Sequence, residues 1–470
     1  MDSTHAVVPA SRRARQFRKG FRQEIHSADW MKSFNVTTCA IEGYSFGSKG
    51  SMSIHLGEKG GFLNFTGAVG MRNPALRNQD YSGQIYQGYH AAERIYASEG
   101  GLVEQMSLVD YQDAAQKVPY FDQEMIAQIN GLNVNTDHGA LMLNELLGQN
   151  VDEMELDARG LTRSDFRFKV GTSSFREGKF FSNLSIPLGY KSELYAFGGL
   201  SYRQGLSHGF YRRPAQTDGR ANTLAFSDGF LPNIGSDIQD RSLTFGIKGW
   251  INDWNVDFSN TSGSNSFNTT VGNSSNSTLG GATPRTFDAG GFAFFQNTVN
   301  LDLSRFQTDI LHGLNIAFGA EYKYERFQIT AGEEASYASY DVNRELVSPS
   351  TDTDLLVYHP FLRQENPFDG SAERVRLGGG AQVYRGLDPE NTVDENRNSF
   401  AGYLDMELNL LPSWVIGAAG RFESFSDFGH SFNYKLSSRY KVLEGLSLRA
   451  AQSTGFRAPS LHQQYFSRTS

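Results

Sequence analysis

Apolar and polar residues alternate through much of this chain. From Phe432 to Val442, Phe432, Tyr434, Leu436, Ser438, Tyr440 and Val442 fall on one side of a two-residue period. Asn433, Lys435, Ser437, Arg439 and Lys441 fall on the other. Successive side chains of an extended strand point to opposite faces, so the pattern predicts a strand with one apolar and one polar face. Phe400 to Leu410 repeats it, with Phe400, Gly402, Leu404, Met406, Leu408 and Leu410 against Ala401, Tyr403, Asp405, Glu407 and Asn409. Leu314 to Tyr324 sets Leu314, Ile316, Phe318, Ala320, Tyr322 and Tyr324 against Asn315, Glu321 and Lys323. Further runs are Leu63 to Arg72, Leu194 to Arg203, Leu243 to Trp250, Trp254 to Thr261 and Leu446 to Ala451.

These runs are about ten residues long, the length of a tilted strand crossing a bilayer's hydrocarbon layer, where soluble strands average roughly five or six. Aromatics such as Trp254, Trp414, Tyr322, Tyr324 and Tyr440 stand near run ends, as interfacial girdles require. Short connections carry turn residues: Asn252-Asp253, Leu411-Pro412-Ser413 and Glu444-Gly445. Long ones are polar. Residues 331–398 hold Pro349, Pro360, Pro367 and Pro389 with Gly378-Gly379-Gly380, and residues 262–290, rich in Ser, Asn, Thr and Gly, read as a mobile connection. Within 104–160, the stretches Tyr111 to Ala127 and Ala140 to Leu147 read as helical pieces, a loop insertion among strands.

Composition agrees with strands. The 470 residues include 49 Gly, 35 Phe and 21 Tyr, with only 39% hydrophobic content, as expected where every second position is apolar. No apolar run reaches the ~18 residues of a membrane-spanning helix. A net charge of −8 gives no basic field for nucleic acid. The first 25 residues, with Arg12, Arg13, Arg15 and Arg18, form a basic leader read as a disordered, solvated tail, not a secretory signal. The single Cys39 excludes an intrachain disulfide and reads as a small strand residue.

No enzyme constellation appears. Asp405 and Glu407 share a strand face two residues apart, and Asp427 sits at a turn where Asp is favoured for local hydrogen bonds. The ten histidines show no metal-ligand spacing, and no cofactor is implied. Lys323, Lys435, Arg439 and Arg449 on polar faces either line a lumen or join a salt-bridge ladder with Asp405, Glu407 and Glu423. Tyr337, Tyr340 and Tyr358 in the long loops either stack on a ligand or pack within the loops.

Four stretches together resemble a known family. Ser453-Thr-Gly-Phe-Arg-Ala-Pro-Ser-Leu-His-Gln-Gln-Tyr-Phe466 is similar to the late-barrel signature of TonB-dependent outer-membrane receptors. Gly319-Ala-Glu-Tyr-Lys-Tyr-Glu325, Asn396-Arg-Asn-Ser-Phe-Ala-Gly-Tyr-Leu-Asp405 and Arg421-Phe-Glu-Ser-Phe-Ser-Asp-Phe-Gly429 resemble preceding strands of that family in matching order. The match is strong over 160–470 and weaker over 34–103. It marks Gly455, Phe456, Arg457, Ala458, Pro459, Gly319, Glu321, Tyr322 and Asp427 as structural motif residues.

The resemblance implies an antiparallel transmembrane barrel of about 22 strands, plugged from its N-terminal side, in the cell outer membrane. It implies uptake of scarce, large ligands (iron chelates, vitamins or glycan fragments) driven by the inner-membrane TonB complex. No signal peptide, TonB box or plug is recognisable, and the family continues for several hairpins beyond the Gly-Phe-Arg-Ala-Pro run. The expectation is therefore an all-β barrel portion over 26–470, with long polar loops and roughly 12 to 16 strands, forming a truncated and non-autonomous fragment. A surface or secreted all-β adhesin or glycan-binding protein is the alternative; a soluble β-rich glycosidase finds no supporting carboxylate pair.

Overall fold

The computed structural model describes residues 44–57, 60–189 and 191–467; the basic stretch 1–25 and Cys39 lie outside them. In chain order the strands are β1 (Ser45–Leu56), β2 (Gly61–Arg72), β3 (Ala75–Leu76), β4 (Gly171–Thr172), β5 (Ser174–Pro187), β6 (Ser192–His208), β7 (Asn233–Ile251) and β8 (Trp254–Gly272). There follow β9 (Thr286–Gln307), β10 (Leu314–Thr330), β11 (Tyr358–Glu365), β12 (Ala372–Arg376), β13 (Val393–Leu411), β14 (Trp414–Phe425), β15 (Gly429–Leu443) and β16 (Leu446–Ser453). Twelve of them form one antiparallel meander, β1-β2-β5-β6-β7-β8-β9-β10-β13-β14-β15-β16, while β3 pairs with β4 and β11 with β12. Among the described residues β1 and β16 are the edges of this sheet.

The alternating residues explain its two faces. Leu243, Phe245 and Ile247 on β7 are 53%, 48% and 46% exposed, and Phe400 and Leu404 on β13 are 54% and 45% exposed. An apolar face of this extent cannot be left to water; it suits hydrocarbon. The opposite face holds the charged residues. Tight turns follow Leu56, Pro187, Ile251, Leu411 and Leu443 at one end of the sheet. At Asn252 and Asp253, φ is 47° and 66°, the paired left-handed geometry of a two-residue hairpin that matches strand twist. The long connections 73–173, 209–232, 273–285 and 331–392 all leave the other end, where only the β14–β15 turn is short.

Several strands outrun the alternation. β7, β8 and β13 each have 19 residues and β9 has 22, because their ends beyond the apolar stripe keep laddering to two neighbours. The polar stretch expected to be mobile therefore divides. Residues 262–272 complete β8 between β7 and β9, with Asn260 Nδ2 donating to Asn297 Oδ1 at 3.0 Å. Residues 274–277 are fully buried rather than mobile. Likewise 393–398 belongs to β13 rather than to the long loop. Conversely, the run from Leu446 is short of membrane length, at eight residues.

The largest apolar cluster lies outside the sheet, in the 73–173 connection, with two smaller ones on the long-loop ends of β8, β9 and β10. Helices α1 (Gly88–Ser98), α2 (Leu108–Ala115), α3 (Gln123–Asn130), α4 (Asp137–Leu147) and α5 (Asp152–Arg159) enclose Ile85, Tyr86, Tyr89, Tyr111, Ile129, Leu143, Leu147 and Phe166. Residues 111–127 do not form one helix. The chain leaves α2 after Ala115, passes Pro119, and restarts at Asp122, whose carboxylate caps α3 by accepting from the Met125 N–H at 2.7 Å. Phe361 and Leu362 of β11 complete this core. The loops of one end are thus folded on one another.

Candidate functional site

The four motif stretches meet at Arg397, near the long-loop end of β13. Glu325 on β10 stands directly opposite it in the ladder, with Oε2 3.8 Å from Arg397 Nη1. Arg397 Nε donates to both Asp427 oxygens, at 2.8 and 3.0 Å, from the β14–β15 turn. Its Nη2 donates to the Pro459 carbonyl at 2.9 Å. The Arg397 side chain is 3% exposed, so the guanidinium is a desolvated cation held by two carboxylates and a carbonyl.

Beyond Pro459, helix α7 (Leu461–Tyr465; α6 is the short turn Glu334–Tyr337) starts at Ser460, which caps it by accepting from the Gln463 N–H at 3.2 Å. Leu461 is fully buried against Phe327, Ile329 and Leu387. The motif residues before it are less enclosed. Phe456 lies 5.6 Å from Phe428 and 6.2 Å from Phe425 between ring centroids. Gly455 and Arg457 are exposed, and Ala458 is half-buried. The proline carbonyl, rather than the Arg457 side chain, anchors this segment.

On β10, Gly319 lies between Tyr403 and Asp302, and Glu321 accepts from Arg421 Nη2 at 3.0 Å. Tyr322 faces outward and donates to Asn398 Oδ1 at 2.6 Å. Lys323 stands 3.9 Å from Glu325. The ladder of ion pairs exists, but Arg421 takes Glu321 and Glu423, at 3.0 and 2.7 Å. Among the described residues, Lys435, Arg439 and Arg449 form no ion pair with Asp405 or Glu407. The small Gly417 and Ala419 of β14 lie between them: Lys435 and Arg439 on β15 are two strand spacings, about 10 Å, from β13, and Arg449 on β16 is three. Arg439 and Arg449 stand directly opposite each other on β15 and β16.

The long loops are joined by buried polar groups. The Glu155 side chain is fully buried and takes Arg94 and Arg159 at 2.9 and 2.7 Å, with Tyr120 as a third donor. Arg159 also reaches Asp228 in the 209–232 loop at 2.9 Å, where the Tyr86 hydroxyl donates to the same oxygen at 2.9 Å. Asn276 Nδ2 donates to the carbonyls of Ala335 and Ala338, both at 2.9 Å. Ser274 Oγ donates to the Gln382 carbonyl at 3.0 Å and accepts from the Gln382 N–H at 2.9 Å. Of the loop tyrosines, Tyr340 is buried and donates to Glu334 at 3.0 Å, while Tyr358 lies under Arg374, 4.3 Å from ring centroid to guanidinium.

Burial shifts several titrating groups in this cluster, Glu93 and His359 among them. Glu93 is pushed up to about 7 by desolvation, despite the hydrogen bond it accepts from Tyr111 at 2.8 Å. His359 is lowered to about 3 by burial and then by Arg363, and its Nδ1 accepts from the Phe361 and Leu362 N–H groups. No group of three His, Cys, Asp or Glu able to hold a metal ion occurs among the described residues. The arrangement braces the long loops against one another.

Arg397 does not stand out in the sequence as a site residue. Its signal there is an isolated arginine on the polar face of a motif strand, but its partners are remote along the chain. Arg159 and Asn276 carry no local signal beyond helix and loop composition.

A family model described as TonB dependent receptor-like, beta-barrel matches residues 188–469. Among solved structures, a mutant of the ferric enterobactin receptor from Pseudomonas aeruginosa aligns with a TM-score of 0.45 and 10% identity, over 90% of this chain and 42% of that one. The siderophore receptor PirA from Acinetobacter baumannii gives 0.44 and 10%, over 90% and 42%. The ferripyoverdine receptor of the Pseudomonas aeruginosa outer membrane gives 0.43 and 8%, over 87% and 40%. The chain spans about two-fifths of the length of these structures. No curated protein matches it.

Proposed function

The chain belongs to the TonB-dependent receptor β-barrel family, and from that premise we propose that it serves as an outer-membrane receptor and transporter of a Gram-negative cell, binding a scarce, large ligand and admitting it without chemical change. The observation that carries this reading is the two-faced meander, with an exposed apolar face, a charged opposite face and nearly all long loops at one end. In a bilayer the apolar face meets lipid and the short turns face the periplasm. The charged face, with Lys323, Lys435, Arg439 and Arg449, then lines the passage.

On this reading, residues 26–470 act as barrel, and the helical part of the 73–173 connection is an outward loop module within it. The packed loops capture the ligand, an iron chelate, a vitamin or a glycan fragment. The inner-membrane TonB complex supplies the energy. Gly455 to Pro459, with Arg397 and Asp427, hold the loop end of β13 to β15 in register. A structural role of this kind suits a guanidinium with no surface left for a ligand.

Fractionation of cells producing the chain tests the proposal. The expected result is recovery with the outer membrane, detergent-dependent solubility, and gel migration that changes on heating. A monomer soluble in plain buffer ends the reading and favours the secreted all-β alternative.

A further inference from the structure

Arg212 and Arg213 are neighbours in the 209–232 loop, and both are more than nine-tenths buried, at 9% and 7% exposure. Both Nε atoms are buried without an acceptor, but Arg213 has other partners. Its guanidinium lies 3.2 Å from the Tyr81 ring centroid and 4.5 Å from that of Phe168, and Nη2 donates to the Phe166 carbonyl at 3.3 Å. Arg212 does not. Its backbone is pinned to Phe230 by hydrogen bonds of 2.7 and 3.0 Å, yet Nε is shielded from solvent and has no acceptor. Among the described residues, its side chain has no ion pair, hydrogen bond or aromatic face.

The charged company of Arg212 is Asp218 and Arg220. Asp218 is already engaged by its own turn: Oδ1 accepts from the Arg220 N–H at 3.1 Å, and Oδ2 stands 3.8 Å from Arg220 Nε. Arg220 therefore engages the carboxylate whose charge reaches Arg212. The turn is also fixed in place. Gly219, at φ +72°, sits so close to Arg376 that a Cβ would come within 2.3 Å of its carbonyl oxygen, and the Gly378 N–H donates to the Gly219 carbonyl at 3.0 Å.

A guanidinium whose Nε is shut from water without an acceptor is destabilising, and such a group calls for a partner supplied from outside. A guanidinium offers five N–H donors in a planar fork that fits a carboxylate or phosphate. We propose that Arg212 is a binding site for an anionic group, a carboxylate or a phosphate. The site is at the long-loop end, away from the four motif stretches. Its meaning as a contact for cargo rests on the receptor reading; its affinity for an anion does not.

Isothermal titration of the detergent-solubilised chain with inorganic phosphate and with citrate tests the site. Vesicles of phosphatidylglycerol, against phosphatidylcholine, separate a lipid headgroup from a soluble anion as the source. Saturable binding is expected, weakened by roughly tenfold or more in Arg212→Gln and only partly kept in Arg212→Lys, whose point charge lacks the fork. Lys117→Gln, in the helical module and paired with Glu99, leaves binding unchanged. Asp218→Asn removes the competing carboxylate and is expected to strengthen binding, a result that a merely structural Arg212 does not produce. Failure of the wild type to bind either soluble anion or anionic vesicles overturns the site, as does an Asp218→Asn variant no tighter than wild type. Heat-modifiable migration, followed on the same samples, distinguishes the two failures: its retention without anion binding overturns the anion site and leaves the receptor reading standing.

Discussion

Tyr403 on β13 donates its hydroxyl proton to Asp302 on β9 at 2.6 Å, across the intervening strand β10. The bond is possible because the residue beneath the ring is Gly319. A Cβ there would come within 2.6 Å of both the Leu301 carbonyl oxygen and Tyr403 Cε1, and within 2.7 Å of Asp302 Oδ1. The same device recurs at the other side of the sheet. Tyr195 on β6 crosses Gly246 on β7 to donate to Asp257 on β8 at 2.8 Å. In both places a ring covers a glycine and ties three strands together.

Gly319→Ala is therefore expected to destabilise the sheet by about 1–3 kcal/mol, since a backbone carbonyl cannot move aside as a side chain can. Tyr403→Phe keeps the cover but loses a hydrogen bond to a charged acceptor, worth about 1.5–3 kcal/mol. Urea titration of the detergent-solubilised protein, followed by heat-modifiable migration, measures both. Equal stability of Gly319→Ala and wild type would remove the steric account.

Arg397→Met is expected to cost more, about 3 kcal/mol, because the buried Glu325 loses its cation and the partly exposed Asp427 loses both hydrogen bonds. Arg397→Lys keeps the charge but cannot serve Asp427 and Pro459 in the same plane, so it falls between the two. Protease cleavage within 454–467 should rise with each variant, as the segment loses its anchor at the Pro459 carbonyl. The combination Arg397→Met with Asp427→Asn should be less damaging than the sum of the two single changes.

The strands of this fold are legible where a lipid face and a polar face alternate, as in 314–324 and 400–410. Where the apolar side lapses, as in residues 262–272, the ladder alone keeps the chain extended, and composition mimics a loop. The site is less legible for a different reason. Glu321 and Asp427 stand out within local motifs, whereas Arg397 gains its role only when β10, the β14–β15 turn and the segment at Pro459 converge. Arg212 offers no local signal at all, since what sets it apart is the partner it lacks.

Protonation of Glu93 gives a pH test of the loop module. Its carboxyl is raised from 4.5 to about 7 in the fold, so between these values the folded chain holds a proton that the unfolded chain releases. Stability from this group is thus complete below about pH 4.5 and is lost as pH rises through 7. Glu93→Gln should match wild type in acid and exceed it above neutral pH by up to about 3 kcal/mol. His359 acts in the opposite sense. Lowered to about 3, it stays neutral when folded, and its contribution is lost as pH falls from 6.5 through that value. Hydrogen exchange of α1 and α2 against pH reads both effects; a Glu93→Gln profile parallel to wild type across the whole range contradicts the assignment.

Asn276 distinguishes a folded set of loops from a loose one. Its amide nitrogen donates to the carbonyls of Ala335 and Ala338, and its oxygen accepts from the Thr278 N–H at 3.2 Å and hydroxyl at 2.7 Å. Asn276→Ala leaves these buried groups without partners at once, at about 1–3 kcal/mol for each that water does not reach. The loss is local to the connections 273–285 and 331–392, since the strands beneath them ladder independently. Limited proteolysis should therefore open 331–392 while heat-modifiable migration stays as in wild type. If both change together, the loops and the sheet unfold as one unit, and the loops cannot move separately to admit a ligand.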